Sequence, residues 1–430
     1  MPLDHDTVGD LLTLDEELIV ISDLHLGPGP HECVEGFAND SVFDGFVTWL
    51  LERADHEGRH WRLVLLGDSV DFLRAQLVTN PEGLPCTEEV ARVALERVVS
   101  GHPLVVEALR RFVDHGFGLD VVLGNHDLEL LRPALQQRLR DALGGGDVRF
   151  FPWIYHVPGL LYAEHGSQYD DLNAFTTLLD PVAGPAGEFE QPVGTFLFMK
   201  GQRTLLSFDP CLDHATPPRD YFRLARKADP SARRRLLGAN ARLAGRVVAH
   251  ARSLSGTERS SRRACYRETI LADYAAGVGL SHGALLALDG LSSATTAPVA
   301  ALARQVAIRT ARRVRPARPI PAGGTDHYLA RAASAVHSAL RRSGEAEPLY
   351  VFGHTHVARH LPLALGAGAP QYVNTGTWSS VLNARSDTLR TIRPTFVEVR
   401  RGTSPPSPPV ARLLTWRGPG AVAETLRFQA

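Results

Sequence analysis

Cysteine is scarce in this chain, and its distribution excludes two kinds of cross-linked fold. The 430 residues contain four cysteines, Cys33, Cys86, Cys211 and Cys265. No two of them form a CxxC pair, so neither a disulfide framework nor a zinc ribbon is expected. A chain of this length can bury a large core, and its length suggests two or three structural units.

Long apolar runs are also missing. The longest uncharged, apolar-leaning stretch, Tyr274 to Leu288, lies between Asp273 and Asp289 and is too short to span a bilayer. The first residues show neither the basic region nor the apolar region of a secretory signal. We therefore expect a soluble cytoplasmic protein without a transmembrane segment.

Lysine is nearly absent, since Lys200 and Lys227 are the only lysines among 46 basic residues. This bias, with abundant alanine, is typical of a GC-rich bacterial genome and indicates no mechanism. The net charge of −1 conceals an asymmetry, because residues 200–345 hold 25 basic and only 10 acidic residues. The chain is therefore predicted to be an acidic body that carries a basic insertion.

Five short polar motifs stand out because each follows a hydrophobic run. They are Asp23-Leu24-His25, Gly67-Asp68-Ser69-Val70-Asp71, Gly124-Asn125-His126-Asp127, His165-Gly166 and Gly353-His354-Thr355-His356. Any one of them is common in loops, whereas five in this order are not. Their Asp, Asn and His side chains form a ligand set for two adjacent divalent metal ions, which indicates a metal-dependent hydrolase.

The hydrophobic runs are predicted to be strands buried on both faces, because they are short, rich in β-branched residues and bounded by Gly and polar residues. They cover 17–21, 61–66, 119–123, 159–163 and 349–352. Helix-like segments at Val42–Arg53 and Glu88–His115 lie between the first three runs, which implies βαβ units. Ligands in such folds gather beyond the carboxyl ends of the strands, so the five motifs are expected to converge on one edge.

In these motifs the chain resembles the calcineurin-like metallophosphoesterase superfamily over residues 16–170 and 347–380. The resemblance implies an α/β fold, a two-sheet β-sandwich flanked by helices. The catalytic domain would comprise residues 1–170 and 347–430, and residues 171–346 would form a large helical insertion. Within the superfamily, Asp-Leu-His-Leu and the segment from Glu164 to Asp170 are most similar to UDP-2,3-diacylglucosamine hydrolase-like members. Those hydrolases have Arg where this chain has His126, and their insertion is smaller.

The resemblance also implies a role for each motif residue. It divides six ligands between two metal ions, with Asp68 as the bridge: Asp23, His25 and His356 for one ion, and Asn125, His165 and His354 for the other. His126 would protonate or stabilise the leaving oxygen, and Asp71 would orient the site.

General chemistry supports a dinuclear centre. A bridging carboxylate holds two ions about 3.5–4 Å apart, so that they share one hydroxide and one phosphoryl oxygen. Mixed oxygen and imidazole ligands suit Mn, Fe or Zn better than Ca or Mg, and Mn is preferred here. The predicted function is hydrolysis of a phosphoester or pyrophosphate in an anionic substrate, with a metal-bridging hydroxide as the nucleophile.

The insertion is predicted to be helical at Ser231–Arg252, Ser260–Leu288, Ala297–Arg313 and His327–Arg342. Its arginines are either solvated, or they belong to a cap that grips an anionic substrate, a membrane surface or nucleic acid. A nuclease acting on DNA or RNA ends is the main alternative function, although few aromatic residues are interleaved with the arginines for base stacking. A metal-bound scaffold without activity is a further alternative. Oligomeric state is not indicated.

The tail of the chain is predicted to return to β structure. Residues 371–378 resemble the strand and turn that follow the last motif in this superfamily. Residues 394–401 and 410–416 are expected to pair across a loop rich in Ser and Pro.

Overall fold

The chain forms a mixed α/β structure with two mixed sheets, which confirms the predicted α/β class. The computed structural model describes residues 16–32, 34–81, 83, 85–176, 181–182, 187–206, 245–252, 274, 277–291, 327–363, 365, 368–379, 394–402, 408–418 and 424–425.

The strands are β1 Glu16–Ile21, β2 His60–Leu66, β3 Gly118–Val122, β4 Val148–Phe151, β5 Ile154–Val157, β6 Leu161–Glu164, β7 Leu349–Phe352, β8 Arg359–Pro362, β9 Gln371–Asn374, β10 Thr395–Arg400, β11 Val410–Thr415 and β12 Glu424–Thr425. The helices are α1 Asp40–Glu57, α2 Phe72–Thr79, α3 Glu88–Gly101, α4 Pro103–Asp114, α5 Pro133–Ala142, α6 Val193–Leu206, α7 His282–Asp289 and α8 His327–Arg342. Two 3₁₀ turns, Leu128–Leu131 and Ser167–Tyr169, and a helical segment at 245–252 complete the described elements.

The first sheet has the strand order β12-β11-β10-β1-β2-β3-β4. Strands β1 to β4 are parallel neighbours, and β10 joins β1 in the antiparallel sense. Helices α1, α3 and α4 connect the first three strands, so the carboxyl ends of β1, β2 and β3 lie side by side. The tail strands β10 and β11 pair antiparallel, as predicted.

The second sheet has the order β5-β6-β7-β9-β8. Here β6 and β7 are parallel neighbours, with Tyr162 opposite Tyr350, although the whole predicted insertion separates them in sequence. Two strands that carry metal-ligand motifs therefore end next to each other in this sheet as well.

Side chains on alternate positions of the strands build two separate hydrophobic clusters. Val20 and Val64 of the first sheet share one cluster with Ala163 and Val351 of the second, so the two sheets pack against each other. On the opposite face of the first sheet, residues such as Ile19 join a cluster that includes the helices. The first sheet is thus buried on both faces, which explains its nearly continuous apolar runs.

The segment Glu88–His115, predicted as one helix, is two helices. Helix α3 begins after Thr87, whose side chain accepts a hydrogen bond from the Val90 N–H, and ends at Gly101. Helix α4 begins at Pro103, where the absent N–H costs nothing at a first helical position. The residue before a proline is disfavoured in helical conformation, so the helix breaks at His102.

The predicted helices of the insertion fare unevenly. His327–Arg342 is confirmed with the same bounds as α8. Ser260–Leu288 is wrong as a single helix, because a turn at Gly279 precedes α7 and Ser281 caps the new helix by accepting a hydrogen bond from Ala284 N–H. Of Ser231–Arg252 only 245–252 is described, and it is helical; Ala297–Arg313 lies outside the described residues. None of the described helices combines the length and apolar character needed to cross a membrane.

A buried imidazole ties the break between α3 and α4 to the rest of the domain. His102 Nδ1 lies 3.0 Å from Asp40 Oδ1 in α1, and His102 Nε2 lies 3.3 Å from Glu35 Oε2. Glu35 also accepts hydrogen bonds from the backbone N–H groups of Gly29 and Phe37. Burial disfavours the charged imidazole, but the two carboxylates outweigh it and raise the pKa of His102 to about 9.

We predict that His102 makes stability pH-dependent on the alkaline side. Because its pKa is higher in the folded chain than the ordinary 6.5, its contribution is fully present below that value and is lost as pH rises through about 9. The shift corresponds to about 3 kcal/mol at most. Urea unfolding of wild type and His102→Gln at about pH 6 and about pH 9.5 should show a large difference only at the lower pH. An equal difference at both values would refute this, and His115→Gln serves as the control at another helix end.

Candidate metal centre

The predicted ligands lie just beyond the carboxyl ends of β1, β2, β3, β6 and β7. The expectation of one shared edge was wrong, because three of these strands belong to one sheet and two to the other. The two sets of loops nevertheless meet. Gly353 N–H donates to the His165 carbonyl, and His354 N–H donates to Asp23 Oδ2 at 3.0 Å, across the two sheets.

The backbone at the site is left-handed at residues that rarely adopt this conformation. Among the described residues, positive φ at non-glycine positions occurs only at Asp23, His25, Asp68, His354 and His356, between 52° and 69°. Each such residue costs on the order of 1–3 kcal/mol, so outliers of this kind point to function. Backbone hydrogen bonds hold the strained turns together: Asp23 N–H donates to Gly67 O and His25 N–H to Asp68 O.

One group of donors comprises Asp23, His25 and His356. His356 Nε2 lies 3.2 Å from Asp23 Oδ1 and 3.1 Å from His25 Nε2, and His25 Nε2 lies 3.8 Å from Asp23 Oδ1. Donor atoms about 2.0–2.2 Å from one transition-metal ion are separated by distances of this order. The three side chains are therefore spaced to hold one ion.

A second group comprises Asp68, His165 and His354. Asp68 Oδ2 lies 3.1 Å from His165 Nε2 and also 3.8 Å from His25 Nε2 of the first group. Asp68 thus lies between the two groups, where a bridging ligand belongs. Asn125 is buried, and the next residue, His126, donates its N–H to Asp68 Oδ1 at 2.8 Å.

Several donor atoms in the site have no hydrogen-bond partner within the described part of the chain. They are Asp23 Oδ1, Asn125 Oδ1 and His165 Nε2, and all three are buried. Leaving a buried polar atom unsatisfied costs about 1–3 kcal/mol. Carboxylate and amide oxygens with imidazole nitrogens are the donors that divalent transition metals accept, so the residues present fit such ions.

The second nitrogen of three imidazoles is fixed by a neighbour. His165 Nδ1 lies 3.1 Å from the Leu66 carbonyl oxygen, and His25 Nδ1 lies 3.0 Å from Asp71 Oδ2. His354 Nε2 lies 3.2 Å from Asp170 Oδ2. Partners of this kind orient a metal-binding histidine and fix which nitrogen carries the proton.

Asp170 was missed as a functional residue in the sequence. Its carboxylate also accepts hydrogen bonds from Leu172 N–H and the Asn173 side chain, which fix its position beside His354. It ends the segment that carries the resemblance to the hydrolase family, but it has no fixed spacing from His354. Only the parallel pairing of β6 and β7 brings the two together.

Asp71 holds a second histidine as well. Its Oδ1 lies 3.0 Å from His126 Nδ1 and accepts the Arg74 N–H at the start of α2. Burial opposes charge on His126, but Asp71 and Asp68 outweigh it and raise the pKa of His126 to about 9. With Nδ1 facing Asp71, the Nε2 edge of His126 is left for a reacting group.

Asp127, the last residue of its motif, has a positioning role that sequence reasoning did not assign. Its carboxylate accepts hydrogen bonds from Gly124 N–H and from Ser69 N–H, so it joins the loops after β2 and β3. Burial and the nearby Asp68 raise the pKa of Asp127 to about 7. Asp23 behaves in the opposite way: burial favours its neutral form, but His165 and His356 overcome this and lower its pKa to about 2.

The motif glycines leave room for the donors. A Cβ on Gly67 would overlap the ring of His165, a Cβ on Gly124 would overlap Asp68, and a Cβ on Gly353 would press on Asp23. The sequence pattern of a glycine before each ligand thus has a steric cause. Any side chain at these positions would displace the donor atoms.

We predict that Gly67→Ala abolishes metal binding while Gly159→Ala does not. Both glycines have positive φ, but only at Gly67 would the new Cβ meet a site residue. Gly159→Ala should cost about 1–2 kcal/mol of stability from the backbone alone. Elemental analysis and urea unfolding of both variants separate the two effects. Full metal content in Gly67→Ala would show that the site relaxes around the added methyl group.

No protein-family model matches the sequence, and no curated protein matches it. Among solved structures, the chain is similar to a phosphopantetheinyl hydrolase from Mycobacterium tuberculosis, with 11% identity, 85% of this chain and 91% of that chain covered, and a TM-score of 0.25. A TM-score this low is too weak to show a common fold.

Proposed function

We propose that this chain is a metal-dependent hydrolase of phosphoesters or pyrophosphates, with a dinuclear centre of the calcineurin-like metallophosphoesterase type. The observation that carries the proposal is the site itself. Buried Asp and His donors at the ends of strands from two sheets form two groups joined at Asp68, with atoms in each group within 4.8 Å of one another. Such an arrangement is costly to maintain unless cations occupy it.

The proposed division of ligands follows these groups: Asp23, His25 and His356 for one ion, Asn125, His165 and His354 for the other, and Asp68 between them. Manganese is the preferred metal, with iron or zinc as alternatives, since the donors mix oxygen and nitrogen. When bound, two such ions activate water and neutralise charge on a phosphoryl group.

The chain's own residues supply the proton chemistry. Asp71 holds His126 by Nδ1, so that the Nε2 proton points away from the carboxylate. As water adds to phosphorus and the bond to the leaving oxygen breaks, His126 donates this proton to that oxygen. Asp71 stabilises the charged imidazole before transfer and keeps the ring in place.

We further propose that residues 171–346 cover a catalytic domain formed by 1–170 and 347–430. Helix α6 packs on α2, and its Phe198 ring contacts the His126 ring edge-on, with centroids 5.7 Å apart. The arginine clusters at 233–235 and 262–263 lie outside the described residues. Their contact with an anionic substrate, a membrane or nucleic acid stays a prediction.

The metal stoichiometry tests the proposal directly. Wild-type protein should bind about two transition-metal ions, and Asp68→Asn should lose metal and activity together, because a bridge serves both ions. Asp170→Asn is the graded control, since it only orients His354 and should weaken metal affinity about 10–100-fold. Active wild-type enzyme with a single ion, or with none, would refute the dinuclear centre.

The role of His126 is tested by varying the leaving group. His126→Ala should retain its metal ions yet slow hydrolysis of an ester with a poor leaving group by about 10²–10⁴-fold. The loss should shrink for a nitrophenyl ester, whose leaving oxygen needs no proton. Steady-state kinetics on both esters, with elemental analysis of the same samples, provide the measurement. An equal relative loss on both would mean that His126 stabilises phosphoryl charge instead.

A further inference from the structure

A cavity of about 460 Å³ opens beside Asn125 and His126. Its walls come from α2, the 3₁₀ turn Leu128–Leu131, residues 83–86, residues 187–191, α6 and the helical segment 245–252. Elements of the catalytic domain and of the insertion thus enclose it together. Because His126 lines the cavity, any group bound there lies on the side of the site from which the leaving oxygen receives its proton.

The walls of the cavity are largely apolar. They include Phe72, Leu73, Leu128, Phe175, Phe189 and Met199. Each methylene removed from water by such walls contributes a favourable transfer free energy. The cavity therefore favours a group with an apolar body.

The charges that line the cavity are negative. Glu129, Glu188 and Glu190 lie in its wall, and none of the described lining residues is Lys or Arg. Glu129 pairs with Arg132 at 2.9 Å, whereas Glu190 accepts hydrogen bonds from the Thr176 N–H and hydroxyl. A second anionic group in this cavity would be repelled, which differs from the arginine grip predicted for the insertion.

One polar atom in the wall awaits a partner. Thr195 lines the cavity and is 8% exposed, and its Oγ1 has no hydrogen-bond partner in the described ranges. Buried hydroxyls are normally paired. A ligand that fills the cavity would satisfy this hydroxyl with a neutral polar group.

We propose that the cavity binds the leaving group of the substrate, and that this group is an uncharged, partly apolar alcohol with a polar atom near Thr195. The inference depends on the proposed function, since it takes His126 as the donor to the leaving oxygen. It names a substrate class, phosphoesters of neutral amphipathic alcohols. It also disfavours nucleic acid, in which the leaving strand carries further phosphates.

A series of primary alkyl phosphates tests the inference, because their leaving oxygens have similar basicity. For metal-loaded enzyme, kcat/KM should rise from methyl to pentyl phosphate by up to about fourfold per methylene, until the cavity is filled. Replacing the pentyl group by 4-carboxybutyl should cancel most of the gain, whereas 4-hydroxybutyl should retain part of it through Thr195. Calorimetric binding of pentylphosphonate and its carboxylate-ended analogue gives the same comparison without turnover.

Two residues on α6 form a matched pair of variants. Met199 and Leu197 are both half-buried, but only Met199 lines the cavity. Met199→Ala should reduce the gain for pentyl phosphate severalfold and leave methyl phosphate unchanged, while Leu197→Ala should affect neither. Thr195→Val should remove the advantage of 4-hydroxybutyl over 4-carboxybutyl only in part, and Glu190→Gln should improve the carboxylate-ended ester.

The outcomes distinguish the two proposals. Equal rates along the alkyl series, or a preference for the carboxylate-ended ester, would overturn the leaving-group assignment if a nitrophenyl phosphate ester is still hydrolysed. If metal-loaded enzyme hydrolyses no phosphate ester at all, the proposed function fails, and this inference fails with it.

Discussion

Four carboxylates, those of Asp23, Asp68, Asp71 and Asp127, are buried at the ends of three neighbouring strands, and the site depends on how their repulsion is relieved. Burying like charges together is expensive unless positive groups lie among them. Imidazoles on the opposing loops supply part of that compensation. The remaining negative charge, with unpaired donor atoms beside it, makes the site a place where cations bind.

The two sheets provide the rigidity that such a site needs. Their shared core fixes the strands, so the strand ends that carry the ligands have little freedom. The strain of five left-handed residues is then concentrated in the loops, where hydrogen bonds between neighbouring motifs oppose its release. Binding of an ion would add the last restraint to a geometry that the protein already holds.

The sequence predicted the parts of this structure that have a strong local signal. Buried strands followed by polar motifs were found because apolar runs and glycine-bounded turns mark them. Short strands such as β5 and β8 carry too little pattern, and the helix breaks at His102 and Gly279 were overlooked although Pro103 and Gly279 signal them. The pairing of Asp170 with His354 could not be predicted, because it arises from the neighbouring positions of β6 and β7 in the sheet.

That neighbouring pair has a consequence for how the protein can diversify. Strands β6 and β7 are in register although a long segment connects them. The entropy of closing such a connection grows only with the logarithm of its length, so doubling it costs only about 0.6 kcal/mol. Residues can therefore be gained or lost in the connection at little expense to the metal ligands on either side, which lets substrate choice change while the hydrolytic chemistry is kept.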